Sequence, residues 1–340
     1  MTSMLQERAV VPPSLKFPKV GVVILNWNNY RDTARCLDSF GSVTYANYLI
    51  YVVDNGSIDD SALRLGENFK NDFIRFILNP ENLGFASGCN KGIAQALADG
   101  CEYLLLLNND CIICDPGFLD KAVEFAESRP ECGIEGGKIL FWPETDRIWS
   151  TGGYVKLIGA EKHIGHNKLD RGQYEVVSER KFISGAFMLI KREVVAAIGL
   201  LPEAYFFGKE EWEYSLRAAR TGFKVFYNPK VTVYHEASHS HVWNDPTYVY
   251  NGTLSHILFR KRNNGRIRFT LWVLLLELYL RFFFWVKYRL QKSGYVKGIE
   301  PDVIREAMLR ALEDSKQTSV VSGAMLEAFR IQFVGKKKTT

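Results

Sequence analysis

Three consecutive polar residues, Asn108, Asn109 and Asp110, directly follow the four leucines at positions 104–107. The apolar run is too short to span a membrane and is typical of a strand that is buried on both faces of a sheet. In open parallel α/β sheets, ligands bind beside the carboxyl ends of the strands. Carboxylate and amide oxygens placed there suit a hard divalent cation and the phosphates that it bridges. The alternative is a polar turn that caps the next segment.

Asp54 occupies a similar position, directly after the apolar run at 48–53. If the two runs form parallel strands of one sheet, Asp54 and Asp110 open onto the same crevice. An ordinary turn, capped by Asp54, is the alternative interpretation. Farther along, the segment 82–92 opens a helix with three glycines and two asparagines. Such a segment lets a phosphate approach the backbone, although it matches neither a P-loop nor a dinucleotide-binding fingerprint.

Two further groups of residues are candidates for chemistry. Glu210, Glu211 and Glu213 begin a predicted helix, where acidic residues either offset the helix dipole or, kept ionised, act as a general base for a hydroxyl group. His235 ends a predicted strand at 225–234, and paired with Asp110 it would give Mg²⁺ or Mn²⁺ a nitrogen ligand. A single histidine is more often structural, and His235 also belongs to a loose cluster with two later residues, His239 and His241.

The elements that position these residues follow from the alternation of apolar runs with helical spacing. Strands are predicted at 19–25, 48–53, 73–78 and 103–107, with helical segments between them. This alternation predicts an α/β fold with a doubly wound, mostly parallel sheet. Residues 134–182 are less regular and predict a smaller subdomain packed across the sheet. Helices predicted at 266–290 and 301–312 form a C-terminal extension.

Composition limits the class of protein. The chain has 340 residues, of which 47% are hydrophobic and 24% charged, which allows a large globular core. The six cysteines all precede residue 133 and lie mostly in apolar runs, which favours reduced core thiols over a disulfide framework. The CxxC spacing of Cys111 and Cys114 lacks the second pair of a zinc site. No secretory signal is visible, so we predict a cytoplasmic protein.

Positive charge is concentrated near the C-terminus. Residues 256–298 contain ten Lys or Arg and one acid, Glu277, in a chain whose net charge is +5. The charges of Glu277 and Arg281 interrupt the apolar segment 269–286, which favours a helix in the plane of an anionic membrane surface over a helix that crosses it. We therefore predict peripheral attachment to the inner face of the cell membrane and no nucleic-acid partner. A buried helix or a homodimer interface is the alternative.

Taken together, these segments resemble the family-2 glycosyltransferases of the GT-A fold, nearest to a rhamnosyltransferase-like bacterial branch. The resemblance covers about residues 19–240. It rests on seven motifs in the family's order: VGVVILNWNN, YVVDNGSIDDS, NPENLGFASGCNKGI, LLLLNND, ISGAFMLIKREV, FFGKEEWEYSLRAARTGF and VYH. The family implies an inverting transfer of a sugar from a nucleotide-diphosphate donor, dTDP-rhamnose or a UDP-sugar, assisted by Mg²⁺ or Mn²⁺. The acceptor would be a hydroxyl of a glycan or lipid-linked molecule in cell-surface polysaccharide synthesis.

The resemblance also implies residue roles. Asp54 would bind the base or ribose, while Asp110 and His235 would hold the metal. Glu211 stands where the family usually has the aspartate that acts as catalytic base, with Glu210 as a supporting acid. The nucleotide-sugar pocket would be lined by Asn26, Asp54, Asn82, Gly84, Asn90, Asn108, Asn109 and Asp110, and the acceptor side by Ser184, Gly185 and Trp212. Asn108 departs from the first acid of the family's Asp-x-Asp motif, and Glu211 is one methylene longer than aspartate.

The predicted organisation is a disordered lead at 1–18, a GT-A domain at 19–255 and a basic, helical region at 256–340. Two other functions remain as alternatives. A non-catalytic nucleotide-binding module attached to a membrane would keep Asp54 and the segment 82–92 but would need no acid at position 211. A nucleotidyltransferase of the same fold would carry a glycine- and lysine-rich signature near its first strand, and the sequence has none there.

Overall fold

The computed structural model describes residues 17–155, 162–236, 246–283 and 301–317. The predicted lead therefore lies almost wholly outside the described residues. The strands are β1 (Val20–Asn26), β2 (Tyr48–Asp54), β3 (Ile74–Leu78), β4 (Tyr103–Asn108), β5 (Cys111–Ile112), β6 (Cys132–Phe141), β7 (Ile148–Ser150), β8 (Gly153–Tyr154), β9 (Lys162–His163), β10 (Ser178–Glu179), β11 (Phe187–Lys191) and β12 (Lys224–His235). The α-helices are α1 (Tyr30–Ser39), α2 (Ser61–Asn68), α3 (Phe85–Ala98), α4 (Phe118–Glu127), α5 (Arg192–Ile198), α6 (Glu210–Arg220), α7 (Pro246–Asn263), α8 (Arg266–Leu278) and α9 (Pro301–Gln317).

Ten of these strands form one sheet, in which β10-β12-β6-β11-β4-β1-β2-β3 is the order of neighbours. Strands β1 to β4 run parallel to one another, β6 and β12 form a second parallel pair, and β11 runs antiparallel between β4 and β6. The register places Asn26 opposite Asp54 and Leu25 opposite Asn108. The polar ends of three neighbouring strands therefore lie at one edge, as the sequence predicts.

The centre of this sheet is buried on both faces. Every residue of β1, β2 and β4 is at least half-buried, and most are completely buried, which is why these strands are continuous apolar runs rather than alternating patterns. On one face, Phe118 of α4 contacts Phe40 and Phe187 edge to face, at centroid distances of 6.0 and 6.2 Å. This packing holds the loops at the carboxyl ends of β1 and β4 in fixed positions.

The prediction of an irregular segment at 134–182 is wrong at its beginning, because Cys132–Phe141 forms β6, a ten-residue strand inside the main sheet. Its glycines are required by close packing: a Cβ at Gly136 would lie 2.4 Å from the side chain of Ile183, and one at Gly137 would lie 2.8 Å from the main-chain oxygen of Val231. Where the structure describes residues 142–182, they contain only the short strands β7 to β10.

Contacts within the chain define two compact units. The first comprises residues 1–83, 87–201 and 211–237 and holds the whole main sheet; the second comprises 84–86, 202–210 and 238–340. The predicted domain boundary after residue 255 stays a prediction.

The second unit is helical where it is described after residue 245. Helices α7 and α9 pack together, and the Tyr250 hydroxyl donates a 2.7 Å hydrogen bond to Asp314. The predicted helix at 266–290 begins as α8 and continues as a π-helical turn, Tyr279–Phe283, while 284–290 lies outside the described residues. The predicted pair of Glu277 and Arg281 is present, with an oxygen–nitrogen distance of 2.9 Å. In the described parts of the chain, no helix has the length and apolar character needed to cross a membrane.

Candidate active site

The carboxylate of Asp54 is held at the carboxyl end of β2 by three donors. Asn26 Nδ2 at the end of β1 donates to Asp54 Oδ1 over 2.7 Å, the Ser57 hydroxyl donates to the same oxygen over 2.6 Å, and the Ser57 amide donates to Oδ2 over 3.0 Å. Asp54 is only 4% exposed. Asp54 therefore caps a turn, which was the alternative interpretation of its position in the sequence. This turn lies at the edge of the sheet where parallel α/β sheets bind ligands.

Asn55, which the sequence analysis did not single out, organises the loop before α3. Its Oδ1 accepts from Asn79 Nδ2 and the Leu83 amide, at 3.1 and 3.2 Å, and its Nδ2 donates to Asn82 Oδ1 over 2.9 Å. Asn82, predicted for the nucleotide-sugar pocket, is therefore positioned through Asn55. The Asn-Gly pair at 55–56 indicated only a turn, so no local signal distinguished this role.

Two other predicted pocket residues have clear structural tasks. Asn90 is buried in α3, where its Nδ2 donates to the Leu201 carbonyl and its Oδ1 accepts from the Leu201 amide, both at 3.0 Å. Gly84 belongs to the second unit and has φ +83°, and a Cβ there would lie 2.5 Å from the Phe206 carbonyl oxygen. A sugar-binding role for either residue stays a prediction.

Asp110 and His235 come together at the edge of the sheet. Antiparallel pairing of β5 with β12 places His235 opposite Cys111, the residue after Asp110. As a result, Asp110 Oδ1 lies 2.9 Å from His235 Nε2, and both residues are at most 5% exposed. Asn108 Nδ2 lies 3.2 Å from the same imidazole nitrogen. The predicted metal ligands are therefore neighbours, although they are 125 positions apart in the sequence.

The donor atoms of this pair fit a hard divalent cation. Asp110 Oδ1, which lies 2.9 Å from His235 Nε2, is buried without a hydrogen-bond partner among the described residues. Adjacent ligands on an octahedral ion with bonds of about 2.1 Å are roughly 3 Å apart, close to the distance between the oxygen and the Nε2. A carboxylate oxygen and an imidazole nitrogen are also ligands that Mn²⁺ and Mg²⁺ accept.

Cys111 lies within the same cluster but is not suited to bind a hard cation. Ligand atoms of Asp110, Cys111 and His235 all lie within 4.8 Å of one another. Burial raises the pKa of the Cys111 thiol well above its usual value, and the charge of Asp110 raises it further. The thiol Sγ also donates to the Ala186 carbonyl at 3.2 Å. Cys111 therefore stays protonated. All six cysteines lie in the described residues as free thiols, and only Cys114 is exposed, as predicted for reduced core thiols.

An aromatic row connects the metal pair with α6. Trp149 meets the His235 imidazole at right angles with a centroid distance of 4.6 Å, and its other neighbour His163 lies 4.9 Å away. His163 in turn packs edge-on against Phe182 and Trp212, which stack on each other at 3.6 Å. Of the residues between His235 and α6, only Trp212 was predicted for the site. Trp149 and His163 lie in a segment of the sequence without a recognisable pattern.

Two acids, Glu210 and Glu211, begin α6. Glu210 is 2% exposed, whereas Glu211 is only half-buried. The Ser215 hydroxyl donates to the Glu211 carbonyl over 2.8 Å and accepts from the Ile183 amide over 3.4 Å. The same hydroxyl therefore ties the first turn of α6 to the residue before Ser184 and Gly185, which are both buried. The main chain of Glu211 is thus linked to this loop, and the roles of the predicted residues stay proposals.

The mixed, mostly parallel sheet with helices on its faces has the GT-A fold. The fold is shared with a mannosyltransferase from Pyrobaculum calidifontis in complex with GDP-Man and Mn²⁺, which aligns over 99% of this chain and 92% of its own with a TM-score of 0.53 and 16% identity. The family model described as glycosyl transferase family 2 matches residues 21–199, more than half of the chain. The chain belongs to this family, as the sequence motifs indicated.

Its relatives include proteins of similar and of much greater length. It is 25% identical over 294 residues to an N-acetylglucosaminyl-diphospho-decaprenol L-rhamnosyltransferase of Mycobacterium tuberculosis, a match that covers 80% of this chain and 94% of the relative. It is 27% identical over 238 residues to an O-antigen biosynthesis protein of Myxococcus xanthus, covering 66% of this chain and 18% of the relative. The chain thus spans a quarter or less of the length of some relatives that it matches.

Proposed function

We propose that the protein is an inverting, metal-assisted glycosyltransferase that moves a sugar from a nucleotide-diphosphate donor to an acceptor hydroxyl. The observation that supports this most is the Asp110–His235 pair, 2.9 Å apart and buried where β4 and β12 end. A divalent cation bound there would neutralise the negative charge that develops on the departing nucleoside diphosphate.

In this proposal, side chains of the protein bind the donor and remove the proton of the acceptor. Asp54, fixed by Asn26 and Ser57, binds the base or ribose of the donor. Glu211, ionised in the positive field of the first turn of α6, removes the proton of the acceptor hydroxyl as it attacks the anomeric carbon. One base on the acceptor side is sufficient for a single displacement with inversion, and no enzyme nucleophile is needed. Glu210 is a supporting acid in this proposal.

The donor and the acceptor are proposed from the relatives. The rhamnosyltransferase of M. tuberculosis matches nearly end to end and by its name uses a sugar carried on a polyprenyl diphosphate, and another relative is named for O-antigen biosynthesis. We therefore assign a dTDP-rhamnose or UDP-sugar donor and a glycan or lipid-linked acceptor in cell-surface polysaccharide synthesis.

Calorimetric titration of the full chain with UDP, dTDP and GDP, each with and without Mn²⁺ or Mg²⁺, tests this function. We expect at least one nucleotide to bind, with an affinity that rises at least about tenfold when the metal is present, because the cation held by Asp110 and His235 would offset the diphosphate charge. The matching nucleotide sugar should then be turned over in the presence of an acceptor. Failure of every nucleotide to bind with metal would contradict the proposal.

Product analysis separates the alternatives. Release of nucleoside diphosphate from the nucleotide sugar, slow without an acceptor and fast with one, supports transfer. Metal-dependent binding with no turnover under any condition would favour the non-catalytic module. Release of pyrophosphate from a nucleoside triphosphate would favour a nucleotidyltransferase.

The membrane partner is proposed from α8. On one side of this helix and the following turn lies an apolar stripe, defined by the six exposed side chains Ile267, Leu271, Leu274, Leu275, Leu278 and Phe282. They recur every three or four residues and cover about 22 Å of helix. The opposite side of α8 packs on the rest of the unit, where Trp272 contacts His256 at 5.2 Å and the Arg260 guanidinium at 5.8 Å.

We propose an anionic bilayer surface as the occupant of the stripe, because basic residues lie beside it. Lys261 and Arg262 are exposed in the last turn of α7, and two more exposed arginines, at positions 266 and 268, begin α8. Apolar side chains with basic residues beside them match an in-plane helix that buries its apolar side below anionic headgroups. Attachment to the inner face of the membrane would bring the enzyme to a lipid-linked acceptor.

Leu271→Ser/Leu274→Ser/Leu278→Ser should lower binding to vesicles that contain an anionic phospholipid by about tenfold or more, because less apolar area is buried. Sedimentation with such vesicles measures the effect, and salt should weaken the binding of the parent protein. The control is Ile58→Ser/Leu63→Ser/Leu78→Ser, which removes three exposed apolar side chains from the first unit and should change nothing. If the α8 variant instead converts a dimer to a monomer while vesicle binding is unaltered, the stripe is a homodimer interface.

A further inference from the structure

A chain of three hydrogen bonds crosses the edge of the sheet from Asp54 to Asn109. Asn26 Nδ2 donates to Asp54 Oδ1 over 2.7 Å. The Thr33 hydroxyl, in the first turn of α1, donates to Asn26 Oδ1 over 2.7 Å. Asn109 Nδ2 donates to the Thr33 hydroxyl oxygen over 2.9 Å. Side chains from the ends of β1 and β2, from α1 and from the turn after β4 are thereby joined.

The chemistry of these groups gives the chain one direction. A carboxylate can only accept, so Asn26 must present its amide nitrogen to Asp54 and its oxygen to Thr33. Thr33 has a single hydroxyl proton, which it donates to Asn26, so Asn109 must present its own amide nitrogen. Asn26 and Thr33 are completely buried. A buried polar group left without its hydrogen bond is costly, so each member of the chain depends on its partner.

We propose that Thr33 is a positioning residue that couples the nucleotide side of the site to its metal side. This inference rests on the proposed function, in which Asp54 binds the nucleotide and Asp110 binds the cation. Asn109 directly precedes Asp110, so the bond from Asn109 to Thr33 fixes the turn that aims the Asp110 carboxylate. The bond from Thr33 to Asn26 fixes the amide that orients Asp54. One hydroxyl that touches neither ligand therefore sets the direction of both carboxylates.

The test compares Thr33→Val, which keeps the shape but can neither donate nor accept, with Thr33→Ser, which keeps the hydroxyl. Titration with Mn²⁺ alone, and with UDP or dTDP in the presence of Mn²⁺, gives the affinities. Thr33→Val should lose about tenfold or more in both, the range that loss of an outer-shell partner of a metal ligand typically costs. Thr33→Ser should stay within about threefold of the parent.

Thr151→Val is the matched control. Thr151 is also completely buried, and its hydroxyl donates to the Ile164 carbonyl at 3.2 Å, so the same substitution removes a hydrogen bond that is not part of the chain. It should leave both affinities unchanged. If Thr151→Val weakens Mn²⁺ binding as much as Thr33→Val does, the effect is a general loss of packing and the proposal is overturned.

Asn109→Ala removes the hydrogen bond between Asn109 and Thr33 by changing its other, half-buried partner. This variant replaces Thr33→Val in the test if Thr33→Val does not fold. The double variant Thr33→Val/Asn109→Ala should bind Mn²⁺ no more weakly than the weaker-binding of the two single variants, because the two substitutions remove the same interaction. Fully additive losses, or parent-like binding by Thr33→Val, would overturn the inference. Absence of metal-dependent nucleotide binding in the parent protein is a different result, which would contradict the proposed function itself.

Discussion

Replacing Glu211 with glutamine should lower the rate of sugar transfer by about 10²–10⁴-fold while donor binding is retained. Glutamine keeps the shape of the side chain but cannot accept a proton. In the proposed reaction, the acceptor hydroxyl would then attack without a base, whereas the groups that hold the nucleotide and the cation are unchanged. Initial rates at saturating donor and metal, together with calorimetric donor affinity, measure the two effects separately.

The structure supports Glu211 over its neighbour as the base. Both residues lie in the first turn of α6, but Glu210 is 2% exposed and Glu211 is only half-buried, and a base must reach a hydroxyl that arrives from solvent. Ser215 holds the main chain of Glu211 against the residue before the Ser184–Gly185 loop.

Glu193→Gln supplies the matched control, because it removes an exposed acid from the first turn of another helix, α5. Its transfer rate should stay within about twofold of the parent, as expected for an acid that affects only the helix dipole. If Glu211→Gln remains active and Glu210→Gln is inactive, the base is the preceding residue. Full activity of both variants would exclude this helix as the source of the base.

The edge of the sheet could be predicted because each strand that builds it has a local signature. An apolar run that stops at polar residues predicts both the strand and the location of its carboxyl end, and this held for Asn26, Asp54 and Asn108. Parallel order then requires these ends to lie side by side. The pairing of Asp110 with His235 follows from the strand ends and the family motifs, although their separation of 2.9 Å required the structure.

Other parts depend on contacts that the local sequence does not contain. Strand β6 was missed because glycines and two charged residues interrupt its apolar pattern. In the fold, Glu135 receives a 2.8 Å hydrogen bond from Asn228, and Lys138 forms an ion pair with Asp170 at 2.8 Å. Hydrophobic periodicity is therefore absent from β6, because its polar residues have partners in the fold and its glycines are required by close packing. Trp149 was missed for a similar reason: only the fold places it on His235.

Asp110→Asn should abolish the metal-dependent part of nucleotide binding and lower transfer by roughly 10³-fold, since a metal's charge stabilisation is worth several kcal/mol and each 1.36 kcal/mol is tenfold. The substitution is nearly isosteric. It removes one negative charge from a buried cluster in which His235 would be left as the other proposed ligand. Titration of Mn²⁺ alone and of the nucleotide with and without Mn²⁺ distinguishes loss of the cation from loss of the nucleotide.

The control is Asp72→Asn, the same substitution at an exposed position, which should bind Mn²⁺ like the parent. Metal-free nucleotide affinity should be no lower in Asp110→Asn than in the parent, because Asp54 and its donors are untouched and one negative charge that repels the diphosphate is removed. A loss of affinity should appear only when Mn²⁺ is added. If Asp110→Asn binds the Mn²⁺–nucleotide pair as tightly as the parent, the cation lies elsewhere. The close approach of Asp110 to His235 would then be only a buried contact between β5 and β12, and the proposed chemistry would lose its main support.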